Sequence, residues 1–76
     1  MSLEKFIEDF EDAVEDVEPG SLNAGTVFKG LRSWDSLAIL TVTDVVEMEY
    51  GVLLNKKSFE GVSTVEELYQ LVVHKR

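Results

Sequence analysis

The chain has 76 residues, no cysteine, and fifteen acidic residues against seven basic ones, a formal net charge of -8. This length fits one domain over residues 1–76 with one modest core, and is too short for a deep catalytic cleft plus its scaffold. The charge repels phosphate backbones and anionic headgroups, so nucleic acid and membrane surfaces are poor partners and basic protein surfaces good ones.

Without cysteine the chain has no disulfide, no thiolate metal site and no thiol nucleophile of its own. No apolar run approaches the roughly 20 residues of a spanning helix, so membrane insertion is not expected. The opening Met1-Ser2-Leu3-Glu4-Lys5-Phe6 lacks the basic start and apolar centre of a signal peptide, and a cytoplasmic location is expected.

Leu3, Phe6, Ile7, Phe10, Val14 and Val17 are spaced as one face of an amphipathic helix. The other face is almost wholly acidic, with Glu4, Glu8, Asp9, Glu11, Asp12, Glu15, Asp16 and Glu18 relieved by Lys5, and reads as solvated. Pro19-Gly20 is expected to end this helix. From Ser21 to Asp35 runs a long connection punctuated by Asn23, Gly25 and Gly30. Its apolar anchors Leu22, Val27, Phe28 and Leu31 predict that it packs along the bundle, so no domain boundary falls there.

The second helix is predicted over 36–50. At roughly 100° per residue, Ile39, Val42, Val46 and Tyr50, with Thr43 beside them, form a core-facing stripe. Leu37, Leu40, Thr41, Asp44 and Met48 gather on the opposite side. A bundle helix needs one buried face, so the second patch of Leu37, Leu40 and Met48 is expected to meet a partner protein. Gly51 should cap the helix in the left-handed region. Val52-Leu53-Leu54 reads as an extended link with no second strand to pair with. A short helix follows over 56–60, with Phe59 inward and Gly61 ending it. Two capping boxes compete next, Ser63 with Glu66 and Thr64 with Glu67. The last helix turns Val65, Leu68, Leu71 and Val72 inward, and its negative end favours His74, Lys75 and Arg76. The expected fold is therefore all-α: a small bundle of three principal helices plus one short helix, with a long loop between the first and second, and a monomer.

The search for chemistry is mostly negative. His74 is the only histidine and sits in the last turn of the last helix, so a serine-histidine-acid triad has nothing to build on. The acids do not follow the ligand spacing of a calcium loop, no metal site is expected, and Gly25 and Gly30 are too isolated for a phosphate-cradling loop. The carboxylates of the first helix lie on a face where nothing raises a pKa for acid catalysis. The expectation is a non-catalytic protein. Ser36 has two readings. It is a routine helix cap, or it is an attachment point where a phosphodiester would meet the N–H groups and positive dipole of a helix start.

At these residues the sequence resembles the acyl carrier proteins. The resemblance covers nearly the whole chain. It includes the acidic first helix, the loop ending in Phe28-Lys29-Gly30-Leu31, the Asp35-Ser36-Leu37 motif, the helix closing in Glu47-Met48-Glu49-Tyr50-Gly51, and Ser63-Thr64-Val65-Glu66-Glu67-Leu68. It implies that Ser36 is esterified with 4'-phosphopantetheine, taken from coenzyme A by a phosphopantetheinyl transferase. The arm's thiol would then carry acyl intermediates of fatty-acid, polyketide or related biosynthesis as thioesters. Asp35 and Leu37 match the positions that flank the serine and are read by the transferase. Leu40 extends that apolar face, and Asp44, Glu47 and Met48 match positions shown to basic patches of acyl-transferring and condensing enzymes. Ile39, Val42 and Val46 match the inner face that shelters an acyl chain.

Ala38, Thr41, Lys56 and Lys57 stand where carriers of general fatty-acid synthesis commonly have acids, and such charges set partner choice. Trp34 before the motif, with Ala38 after it, looks more like discrete carriers of specialised pathways, although Trp34 also reads as an aromatic anchor of the loop. An aminoacyl or peptidyl carrier, and an unmodified acidic helical interaction module, are the alternatives.

Overall fold

The computed structural model describes residues 2–15 and 17–76. Four helices, α1 (Leu3–Ala13), α2 (Ser36–Tyr50), α3 (Lys56–Glu60) and α4 (Val65–Lys75), form an all-α bundle with a long loop after α1. That loop contains one 3-10 turn, Phe28–Gly30.

The core is built from the apolar stripe of each element: Phe6 and Phe10 from α1, Val42 and Val46 from α2, Phe59 from α3, and Val65, Leu68 and Val72 from α4. Phe28 enters from the loop and is fully buried. Trp34 locks the loop down. Its ring stacks on Phe10 with centroids 5.8 Å apart, meets Phe28 edge-on at 4.7 Å, and lies 5.7 Å from Phe59. The aromatic-anchor reading of Trp34 holds, and offset and edge contacts of this kind add to the area they bury.

Helix α1 ends earlier than its periodicity predicts. It stops at Ala13, and Val14 is already extended, although Val14 is buried and Val17 still packs on the core. Pro19-Gly20 forms a later turn, with Gly20 at φ 84°, and does not terminate the helix. The reason lies in Glu11, which the sequence places on the solvated face. It is 4% exposed, and its carboxylate accepts the N–H of Gly20 at 3.0 Å and of Leu22 at 2.9 Å. Burying a carboxylate is tolerable only when donors replace water, and the chain doubles back to supply them. The rest of that face is exposed at Glu4, Glu8, Asp12, Glu15 and Glu18 and half-buried at Asp9, while Asp16 lies outside the described residues.

The loop also finishes α4. Val65 and Glu66 donate their N–H groups to the Thr26 and Ala24 carbonyls at 3.1 and 3.0 Å. Beside them Val27 forms an isolated antiparallel bridge with Thr64 and remains exposed. Of the two candidate capping boxes, Thr64 with Glu67 forms, and Ser63 adds its own N–H to the Glu67 carboxylate at 2.7 Å. Gly51 caps α2 at φ 70°, the region where a Cβ is strained. Past it, Val52 and Leu54 point inward while Leu53 is exposed, and this extended link sets α3 beside the start of α2. No helix among the described residues is long and apolar enough to cross a membrane.

Candidate functional site

The start of α2 is built by Asp35, not Ser36. Asp35 is extended, and its carboxylate accepts the Ala38 N–H at 2.9 Å while its carbonyl accepts the Ile39 N–H at 3.0 Å. Ser36 is thereby the first helical residue, exposed, with no hydrogen bond to its hydroxyl among the described residues. The cap reading of the serine passes to its neighbour.

Helices α2 and α4 differ at their first turns. At α4 all four leading N–H groups find acceptors, from the loop carbonyls and from Thr64. At α2 only Ala38 and Ile39 do so among the described residues, which leaves the N–H groups of Ser36 and Leu37 open to solvent or to an anion.

Around this point the apolar face the sequence singles out is indeed uncovered. Leu37 is 59% exposed, Leu40 58% and Met48 79%. Asp44 and Glu47 are exposed on the same helix, and α2 contains no basic residue. Glu47 and Glu49 lie in its last turn, where the negative end of the dipole disfavours them. Helix stability does not explain these two acids, nor does core packing explain the three apolar side chains.

The residues assigned to an acyl pocket are split. Ile39 lines an open groove of about 420 Å³ with Ser36, Leu40, Thr43, Leu54, Asn55 and Lys56. Val42 and Val46 instead line a void of about 10 Å³ between α1 and α2, too small for an acyl group. Five buried apolar positions among the described residues lie outside the stripes that the spacing singles out: Ala13, Ala38, Val52, Leu54 and Val62. Ala38 is buried although its side chain is one methyl, and Val62, just before α4, closes the core near α3. A second depression of about 580 Å³ lies on the other side of the α2 start, lined by Asp12, Glu15, Arg32, Asp35, Leu37 and Thr41 among others.

Titration at the helix ends follows the hydrogen bonds. Backbone N–H groups of Thr64 and Ser63 hold the Glu67 carboxyl below its ordinary value. Burial, then the bond to Asp9, pushes the Tyr50 phenol well above its own.

These features define a small helical module compatible with a carrier-type role. Comparison of the chain with protein-family models, with curated proteins and with solved structures finds no match.

Proposed function

We propose that this chain is an acyl carrier protein whose Ser36 oxygen is the attachment point of a 4'-phosphopantetheine arm. The observation that carries the reading is the division of labour at the start of α2. Asp35 does the capping, which leaves the Ser36 hydroxyl exposed and uncommitted beside two open N–H groups. A phosphodiester on that oxygen fits the donors and the dipole there. When bound, the arm supplies the thiol that this cysteine-free chain lacks, and that thiol holds an acyl group as a thioester.

In the loading step the Ser36 oxygen attacks the pantetheine-bearing phosphorus of coenzyme A. A new P–O bond forms, the bond from that phosphorus to the bridging oxygen of the diphosphate breaks, and adenosine bisphosphate leaves with the bridging oxygen. The hydroxyl proton goes to a base of the transferase, because no base among the described residues bonds to the Ser36 hydroxyl. The chain is thus a substrate of other enzymes and not itself a catalyst, in a cytoplasmic setting.

Asp35 and Leu37 flank the serine for the transferase. Leu40, Asp44, Glu47 and Met48 offer an apolar strip edged with carboxylates to basic surfaces of acyl-transferring and condensing enzymes. Ile39 is already open to a cargo in the groove, whereas Val42 and Val46 can shelter one only if α1 and α2 part.

The test is to incubate the purified protein with coenzyme A, magnesium ions and a promiscuous phosphopantetheinyl transferase, and to weigh it. One adduct is expected, absent from Ser36→Ala. No adduct on a folded wild-type protein overturns the reading and leaves an unmodified acidic module that binds a partner through Leu37, Leu40 and Met48.

A further inference from the structure

Two depressions flank the start of α2, and their charges differ. The one toward α1 carries Asp12, Glu15 and Asp35 around a single cation, Arg32. The one toward α3 carries Lys56 and no acid, over a floor of Ile39, Leu40, Thr43 and Leu54, and it alone includes Ser36.

Lys56 has no structural explanation. It is exposed and makes no ion pair, the sole pair among the described residues being Lys5 with Asp9 at 2.7 Å. It occupies the first position of α3, where the positive end of a helix disfavours a cation. The polar neighbours in the groove, Ser36, Thr43 and Asn55, carry no charge. The Asn55 side chain caps α3 through the Ser58 N–H, and the Thr43 hydroxyl donates to its own helix at the Ile39 carbonyl, 2.8 Å away. An anion entering this groove therefore finds one charge to meet, and it is repelled from the opposite side by Asp35 and its acidic neighbours.

Resting on the carrier reading of Ser36, we infer that Lys56 is the counter-ion of the phosphodiester. It lays the first part of the arm along the groove toward Leu54 instead of leaving it free in solvent. Lys56 is a positioning residue in this scheme. It selects which side of α2 the arm occupies, and so the direction from which a partner enzyme receives the thiol.

The experiment uses isotope-labelled full-length protein carrying the unacylated arm on Ser36, with amide shifts compared before and after loading. In the wild type the amides of Leu54, Asn55 and Lys56 move as well as those around Ser36. An exposed ion pair biases such an equilibrium by roughly two- to five-fold, so Lys56→Glu shrinks the Leu54 and Asn55 shifts by about that factor and Lys56→Arg retains them. Raising the salt concentration has the same effect as Lys56→Glu on the wild type. Wild-type shifts confined to the neighbourhood of Ser36, or shifts at Leu54 and Asn55 that survive both Lys56→Glu and high salt, overturn the assignment of Lys56 alone. A wild-type chain that takes no adduct overturns the carrier reading, and the Lys56 assignment falls with it.

Discussion

The Tyr50 hydroxyl, in the last turn of α2, donates a hydrogen bond of 2.7 Å to the carboxylate of Asp9 in the middle of α1. The other oxygen of Asp9 takes the Lys5 ammonium at 2.7 Å, so one carboxylate joins two helices and a cation. Removing the hydroxyl in Tyr50→Phe costs about 1.5 kcal/mol at neutral pH, the scale of a hydrogen bond to a charged acceptor. Denaturant unfolding measures it directly. Burial raises the folded phenol above its ordinary 10.0, and the unfolded tyrosine ionises first as pH climbs. Stability is therefore complete below that value and declines above it, and the gap between wild type and Tyr50→Phe narrows at about pH 11. A constant gap across this range contradicts the assignment.

At the acid end the relevant group is Glu67. Its folded pKa is depressed below the ordinary 4.5 by the Thr64 and Ser63 N–H groups, so its contribution is present above that value and is lost as pH falls through the folded pKa. Glu67→Gln should flatten this part of the acid unfolding curve. Thermal melts of both proteins between about pH 6 and pH 3 provide the comparison.

Glu11 is the buried acid on which the first turn of the long loop depends. Glu11→Ala strands the N–H groups of Gly20 and Leu22 and is expected to cost about 2–3 kcal/mol, far more than Glu8→Ala on the exposed face of the same helix. Hydrogen exchange at Gly20 and Leu22 should accelerate in the Glu11 variant before the core amides do.

Trp34 lies two residues before Ser36 and holds that approach against Phe10, Phe28 and Phe59. Trp34→Ala is expected to cost about 3 kcal/mol. Because it frees the backbone leading into α2, it should also slow the modification of Ser36 under conditions where the protein remains folded. Circular dichroism and the initial rate of adduct formation, read on the same sample, separate the two effects.

Much of the architecture was legible because short-range signals agreed. Asp35 to Leu37, the repeat from Ile39 to Tyr50, and Gly51 all point to one helix, and the structure places it over Ser36–Tyr50. The short helix Lys56–Glu60 was likewise a local matter, whereas the local pattern offered two capping boxes, at Ser63 and at Thr64, and did not choose between them. The end of α1 was not, because it depends on Glu11 bonding to residues nine and eleven positions away. Apolar spacing carries no trace of such a bond. At the candidate site, the exposure of Leu37, Leu40 and Met48 followed from a helix with two apolar sides. The separation of Ile39 from Val42 and Val46 did not, because it arises from where the extended link through Val52 and Leu54 sets α3. The switch of cap from Ser36 to Asp35 is a shift of one residue, which periodicity does not resolve.

The most direct test of the carrier proposal is to locate the adduct. The protein is treated with coenzyme A and transferase, digested, and sequenced by tandem mass spectrometry. The modification should fall on Ser36 and on none of Ser2, Ser21, Ser33, Ser58 or Ser63. A peptide spanning Trp34 to Leu40 that is unmodified, or an adduct on any other serine, contradicts it.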